Sequence, residues 1–395
     1  MLRGIALLGV LVANVWLWFS GAGFRLPALR AELVPPSPDW LAFHAVAVLV
    51  SGKAISTFSF LFGVGFAVQA LRARERGARV EPLYRRRLAV LFCIGALHGV
   101  LLWYGDVLMA YAVLGFALLP FRDQPDGTLF AWAGVLLVAF PLASAAAPVV
   151  LGALSGPAPP PEVPAAAGDG SGFGRRILDV FAGGDPARVV TANLRMLAGA
   201  YLTPRATWML GSFGLFLLGL WAGRARVFER VAEHRAAFRR VAAWGLGVGL
   251  AGSCLADALG TRFPAESPGA PVWLPLALAG AELAGTIPLA AGYVASVALL
   301  MERPRWARRL AVFAPAGRMA LTHYLSQTVV CLLVFYGYGL GWIGRAEPAE
   351  ALAFSLALFA AQAAWSPWWL ARFRFGPAEW AWRSLTYGRL QPMRV

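Results

Sequence analysis

Ten apolar stretches alternate with short polar segments along the chain, at roughly 4–20, 40–71, 88–104, 106–121, 128–154, 206–223, 241–259, 273–301, 319–342 and 349–371. A helix needs about 20 apolar residues to cross a bilayer. The pattern therefore predicts an all-α fold, a polytopic transmembrane helical bundle of about ten spans. The second stretch is too long for one straight helix and is interrupted at Gly52 and Lys53. A short outer helix or re-entrant piece is expected there, followed by a span from about 53 to 71. No small-residue cleavage site follows Phe19 and many spans come after it, so the first stretch reads as a retained helix rather than a signal peptide. Met1 lies only two residues before Arg3, which leaves open that a few residues precede it.

Composition agrees with the pattern. The chain is 59% hydrophobic and 14% charged, against about 25% charged in a soluble domain. Its net charge of +15 comes almost wholly from arginine, since Lys53 is the only lysine. A nucleic-acid-binding domain gathers such charge on a folded polar surface, whereas these arginines sit in short runs between apolar stretches, so no nucleic acid partner is expected. They act instead as topology signals. Seven arginines lie from Arg72 to Arg87, six from Arg224 to Arg240, five from Arg303 to Arg318 and five from Arg372 to Arg394. With Arg3 and Arg122, 25 of the 34 arginines fall on one side of a ten-span arrangement. Positive charge accumulates in the cytoplasm, so both ends are expected inside a bacterial inner membrane.

Three regions follow: 1–154, an N-terminal half of about five spans; 155–205, an extracytoplasmic linker; and 206–395, a C-terminal half of about five spans with a cytoplasmic tail motif. The linker opens Pro/Ala/Gly-rich and turns amphipathic from about Arg175 to Leu202, predicting one or two helices on the outer membrane face. They are either a connector or a lid over an outward cavity. Cys93, Cys254 and Cys331 lie far apart in apolar segments, without disulfide or zinc spacing, and no metal is expected.

Ionisable groups in hydrocarbon cost on the order of 2.5 to 3.5 kcal/mol by insertion scales unless paired or wet. Lys53, His98, Asp106, Asp257, Glu282 and His323 are such groups, with Asn14 a neutral companion in the first span. His98 falls near the outer end of the third span. Asp106 opens the fourth after a hairpin in which Gly105 is expected to make the tight turn. Asp106 as a helix cap and His98 as a packed histidine are the plain readings. The catalytic reading makes His98 a general base and Asp106 its orienter. Lys53 snorkels, pairs with Asp106 or Glu282, or binds an anionic group. His44, Asp257 and His234 read as interfacial or solvated.

The residues Arg3-Gly4, Ala6 to Gly9 and Asn14; Lys53, Phe58 and Leu61-Phe62-Gly63; His98-Gly99, Gly105-Asp106 and Tyr111; Gly317 to Thr322, Tyr324 and Gln327; and Gly376-Pro377, Glu379-Trp380, Trp382-Arg383 and Thr386 together resemble the YeiB-like family of bacterial inner-membrane proteins of unknown function. One departure is His323, where that family usually has asparagine. The family in turn resembles transmembrane acyltransferases of the heparan glucosaminide acetyltransferase type, which move an acyl group from a cytoplasmic CoA donor to an acceptor across the membrane. That resemblance implies an acyl-CoA donor substrate, no tightly bound cofactor, and a small-molecule, lipid or glycan acceptor. The relative's catalytic histidine lies after its first helix, where this chain offers only His44, so His98 would take that role.

Substrate contacts are expected from Asn14, Lys53, Glu282, Arg318, His323, Glu379 and Arg383. The tail motif with Arg318 is either an interfacial anchor or a docking site for a cytoplasmic ligand, and Arg85 to Arg87 are placed to meet CoA phosphates. The competing expectation is a proton-coupled transporter or exporter with Lys53, His98, Asp106 and Glu282 as relay. It would be favoured by inverted repeats, which the two halves do not show. The oligomeric state is left open.

Overall fold

A computed structural model describes residues 1–77, 80–155, 170–202, 208–263 and 271–395. Among these, helices joined by turns and short irregular segments make up the fold, with one isolated bridge between Phe373 and Arg394. The helices are α1 (Leu2–Asn14, continued by a wider turn to Phe19), α2 (Leu26–Glu32), α3 (Pro38–Leu49), α4 (Lys53–Glu75), α5 (Val80–Leu101), α6 (Leu108–Leu118), α7 (Asp126–Gly134), α8 (Phe140–Ser155), α9 (Gly170–Gly183) and α10 (Pro186–Leu202). Then come α11 (Trp208–Arg224), α12 (Arg235–Arg262), α13 (Leu274–Met301), α14 (Pro304–Leu310), α15 (Phe313–Arg318), α16 (Ala320–Phe335), α17 (Pro348–Leu370) and α18 (Pro377–Tyr387). Six helical stretches are long and apolar enough to cross a membrane: 2–19, 38–75, 126–147, 235–262, 274–301 and 348–370, with shorter apolar helices at 108–121 and 320–335. This is a helical membrane protein.

The break expected near Gly52 is real. α3 ends at Leu49 and α4 starts at Lys53, with Gly52 at φ 77°, a conformation that L side chains avoid. The amphipathic stretch forms two helices, α9 and α10. The start of the linker, 156–169, lies outside the described residues. Gly105 lies in the turn between α5 and α6, as expected, without a positive φ. The hairpin needs it for room, because a Cβ there would overlap the Trp103 ring.

Two close crossings hold the bundle. A Cβ on Gly63 of α4 would collide with the Phe216 carbonyl of α11, and one on Gly219 of α11 with the Phe60 carbonyl of α4. Small residues let helix backbones approach where lipid offers no hydrophobic drive, so packing itself must supply the attraction. Helices α12 and α13 pair in the same way. At the centre, α1 packs on α4, α15, α16 and α17, so the N-terminal and C-terminal halves interlock. Its buried Leu7, Leu11, Val15 and Phe19 share one core with Trp103, Phe181, Phe335 and Tyr336. Helix α9 joins that core when Phe181 stacks between Tyr104 at 5.9 Å and Tyr336 at 4.7 Å.

Gly63→Val or Gly219→Val is expected to push α4 and α11 apart at a cost of about 1–3 kcal/mol or more. Heating the detergent-solubilised variants before size-exclusion chromatography should lower the temperature at which the monodisperse peak is lost. Unchanged retention would contradict this packing.

Candidate functional site

Helix α5 terminates on the His98 carbonyl, which accepts from both Leu102 and Trp103 N–H at 2.9 Å. The chain then doubles back so that Asp106 caps α6, its Oδ2 accepting from Met109 N–H at 2.8 Å. The other oxygen, Oδ1, lies 2.9 Å from His98 Nδ1. Gly95, one turn before His98, is what permits this: a Cβ there would strike the Met109 nitrogen and lie 2.8 Å from Asp106 Oδ2. The helix-cap reading of Asp106 and its pairing with histidine are thus satisfied together, one oxygen for each.

The second ring nitrogen, His98 Nε2, meets Thr328 Oγ1 of α16 at 3.0 Å. His98, Asp106 and Thr328 are only 3%, 3% and 2% exposed. Around them, Asn193 of α10 accepts from Tyr104 N–H and donates to the Val100 and Leu102 carbonyls, at 3.2–3.3 Å. The Tyr201 hydroxyl donates to the Asp106 carbonyl at 3.1 Å. The amphipathic helix α10 therefore packs over the hairpin. Sequence reasoning singled out neither Thr328 nor Asn193. The only signal for Thr328 was a short polar run, Ser326-Gln327-Thr328, inside an apolar span.

At the opposite end of the bundle, parts of four arginine-bearing segments and the N-terminus surround a cavity of about 1190 Å³. Six arginines line it: Arg3, Arg72, Arg76, Arg87, Arg318 and Arg383. Glu379 is the one carboxylate among its described lining residues. Arg87 stacks 4.0 Å above the Trp382 ring, and Arg383 lies 4.9 Å over Phe375, contacts that hold planar guanidinium groups in place without neutralising them. A second, mainly apolar bore of about 210 Å³ shares Arg3, Arg87, Arg318 and Glu379 with this vestibule. It runs inward past Leu7, Phe58 and Phe62 to Val107, Tyr111 and Tyr324. The Tyr324 ring lies 5.2 Å from the His98 ring, and its hydroxyl accepts from Val107 N–H at 3.4 Å. The polar triad thus sits just beyond the apolar end of the bore.

Glu379 has a structural task as well. Its Oε1 accepts from Leu321 and Thr322 N–H at 2.6 and 3.2 Å, and Oε2 accepts from the Thr322 hydroxyl at 2.5 Å, so the tail helix α18 caps α16. Burial raises the Glu379 carboxyl above its ordinary value, opposed by these hydrogen bonds. Both of its oxygens are thus engaged by α16, and one carboxylate stands against six arginines.

The remaining expected site residues lie elsewhere. Lys53 donates to the Ala47 carbonyl at 3.3 Å, and its charged neighbours are Glu282 and Asp257. Glu282 and Asp257 act on its charge at a distance, and among the described residues no ion pair joins Lys53 to either of its two expected partners, Glu282 and Asp106. His44 and Asp257, expected to be interfacial or solvated independently, contact each other at 2.5 Å. His323 lies in a polar seam between α16 and α17, with Nε2 2.7 Å from Ser366 Oγ and neighbours Gln327 and Gln362 joined at 2.8 Å. Ser366 donates to the Gln362 carbonyl at 2.6 Å, so His323 Nε2 carries the proton. Asn14 stands where α1 passes into its wider turn, and neither Asn14 nor His323 lines the vestibule or the bore. No group of three metal-ligating side chains occurs among the described residues.

A family model described as "Protein of unknown function (DUF418)" matches residues 222–389. The protein described as "Uncharacterized protein YxaH" of Bacillus subtilis (strain 168) is 31% identical over the whole of this chain and 94% of its own length. The protein described as "Uncharacterized protein YeiB" of Escherichia coli (strain K12) is 28% identical over 97% of this chain and 94% of its own.

Removing one member of a buried pair costs about 3–5 kcal/mol. Asp106→Ala, which also uncaps α6, is expected to destabilise the protein by that order in thermal unfolding in detergent. Asp106→Asn keeps an acceptor for Met109 and should cost less; equal stability of all three proteins would contradict the pairing.

Proposed function

The chain belongs to the DUF418 family of proteins of unknown function, and we propose that it is an acyltransferase-like membrane protein drawing an acyl-CoA donor from the cytoplasm. The observation that carries this reading is the joined vestibule and bore. Topology alone asks arginines to lie on one side of a membrane. It does not ask six of them to face a single cavity with one carboxylate. Their mutual repulsion is relieved by a polyanion, and guanidinium groups suit phosphate because their parallel N–H donors match its oxygens. The bore extending from them is apolar, as a pantetheine arm and acyl chain require.

In this reading the arginine-rich face is cytoplasmic, both termini lie inside, and ten segments cross the inner membrane, the shorter helices and α5 and α11 included. The head group would rest against Arg87 and Arg318 with the acyl group directed at Tyr324. His98, oriented by Asp106, is the general base, and the acceptor, a small molecule or a lipid or glycan group, approaches from the hairpin and α10 side. With Nδ1–H held by a carboxylate, Nε2 is left to take a proton, the usual arrangement for a base. For the alternative, a proton-coupled transporter or exporter, the favouring observation is the Lys53, Glu282, Asp257 and His44 group. No contact links that group to His98 and Asp106, which a continuous relay would need.

Each charge-assisted hydrogen bond is worth about 1.5–3 kcal/mol, or roughly 10- to 100-fold in affinity. Titration of coenzyme A into wild-type protein in lipid nanodiscs should therefore show binding that weakens by at least about tenfold in Arg87→Ala and in Arg318→Ala, and that falls with added salt. Absence of binding, or binding indifferent to both substitutions, would overturn the reading.

A further inference from the structure

The pair His98–Asp106 does not face an empty space. Its free nitrogen is directed to the hydroxyl of Thr328, 230 residues away in sequence. We propose that Thr328 is a nucleophile that carries the acyl group between donor and acceptor as an ester on its Oγ1; this rests on the acyltransferase reading above.

Three observations support it. First, carboxylate, imidazole and hydroxyl stand in series at 2.9 and 3.0 Å. A nucleophile within hydrogen-bond reach of a base that is itself oriented by a third group is the geometric signature of covalent catalysis. Second, Thr328 lies one helical turn beyond Tyr324, on the same face of α16, and Tyr324 closes the bore. The Tyr324 hydroxyl is held by a single 3.4 Å bond from Val107 N–H, so rotation of that ring would join bore to triad. Third, the indole N–H of Trp103, whose ring lies edge-on 6.5 Å from that of His98, is buried without a partner among the described residues. An unmet buried donor is costly, and an oxyanion forming beside His98 is an acceptor that would satisfy it.

The proton positions follow. In the resting state Nδ1–H donates to Asp106 Oδ1, and the Thr328 hydroxyl lies between Nε2 at 3.0 Å and the Tyr324 carbonyl of its own helix at 3.3 Å; the step begins when the hydroxyl turns its proton from that carbonyl to Nε2. When Nε2 takes that proton, Oγ1 attacks the thioester carbonyl, a C–O bond forms, the C–S bond breaks, and the thiolate leaves with the proton from imidazolium. An acceptor hydroxyl or amine then attacks the ester carbonyl, gives its proton to Nε2, and Oγ1 departs and recovers it. Atoms and charge balance without any further reagent. The location gives the step a purpose: the donor approaches from the arginine face, the acceptor from the hairpin face, and one residue between them is reached by each in turn.

The test uses full-length protein in nanodiscs incubated with radiolabelled acetyl-CoA, quenched in acid and mapped by mass spectrometry. One acetyl group is expected on the Thr328 peptide of wild type and on serine in Thr328→Ser. In the isosteric Thr328→Val, the adduct should be absent and thioester turnover lower by at least about 100-fold, with coenzyme A affinity within about twofold of wild type. A hydroxyl that merely clamps helices predicts none of this. Turnover persisting in Thr328→Val, or an adduct mapped to His98, overturns the proposal while leaving the donor site intact. Failure of wild type to bind acetyl-CoA overturns the acyltransferase reading and this step with it. Loss of fold in Thr328→Val shifts the decision to Thr328→Ser: an acetylated serine supports the proposal, and turnover without one overturns it.

Discussion

Every polar group at bilayer depth must find its partner inside the protein, and the hydrogen bond between His98 and Asp106 is where this constraint binds hardest. Hydrocarbon supplies no water to solvate either group, so each would be costly alone. Together they fix the end of α5, the start of α6 and, through Thr328, the position of α16. Helix α10 is tied to the same few residues by Asn193 and Tyr201. A polar arrangement so fully satisfied is rigid, and rigidity is also what orients a base. Structural and chemical roles do not compete at this site, because one geometry serves both.

The opposite constraint operates at the other end of the bundle. There the guanidinium groups of Arg3, Arg87, Arg318 and Arg383 face a common cavity and their charge is left without enough carboxylate to balance it. An unsatisfied donor set in water invites an anion, just as an unsatisfied donor set in hydrocarbon demands an internal partner. The apolar bore connects these two regimes, and Tyr324 stands at the boundary. The tail helix contributes Glu379, Trp382 and Arg383 to the vestibule wall while capping α16, so the tail motif is part of the cavity rather than a simple anchor.

What could be read from the chain was whatever depends on neighbours in sequence. Apolar runs located the helices, Gly52 located the break before α4, and the eight-residue separation of His98 and Asp106 across a hairpin was enough to bring them together. What could not be read depends on long-range packing. Thr328 resembles any small polar residue in an apolar helix until α16 is laid beside α5. The arginine runs were legible as topology signals, but not their convergence on one cavity, which requires α4, α5, α15 and α18 to meet. Lys53 had two candidate carboxylates, and only the packing of α4 beside α13 brings Glu282, not Asp106, within electrostatic reach of it. His44 and Asp257 each looked solvated because each was considered without the other. Gly105 was legible as the turn residue, but that the turn needs it for room beside the Trp103 ring shows only in the folded hairpin.

The central claim is that the vestibule and bore form one path for a polyanionic amphiphile ending beside His98. The most direct measurement is a cryo-electron-microscopy structure with a non-hydrolysable thioether analogue of acyl-CoA. The account predicts phosphate density against Arg87 and Arg318 and the acyl carbon adjacent to Tyr324. Analogue density outside this path, or an unfilled bore at saturating analogue, would contradict it.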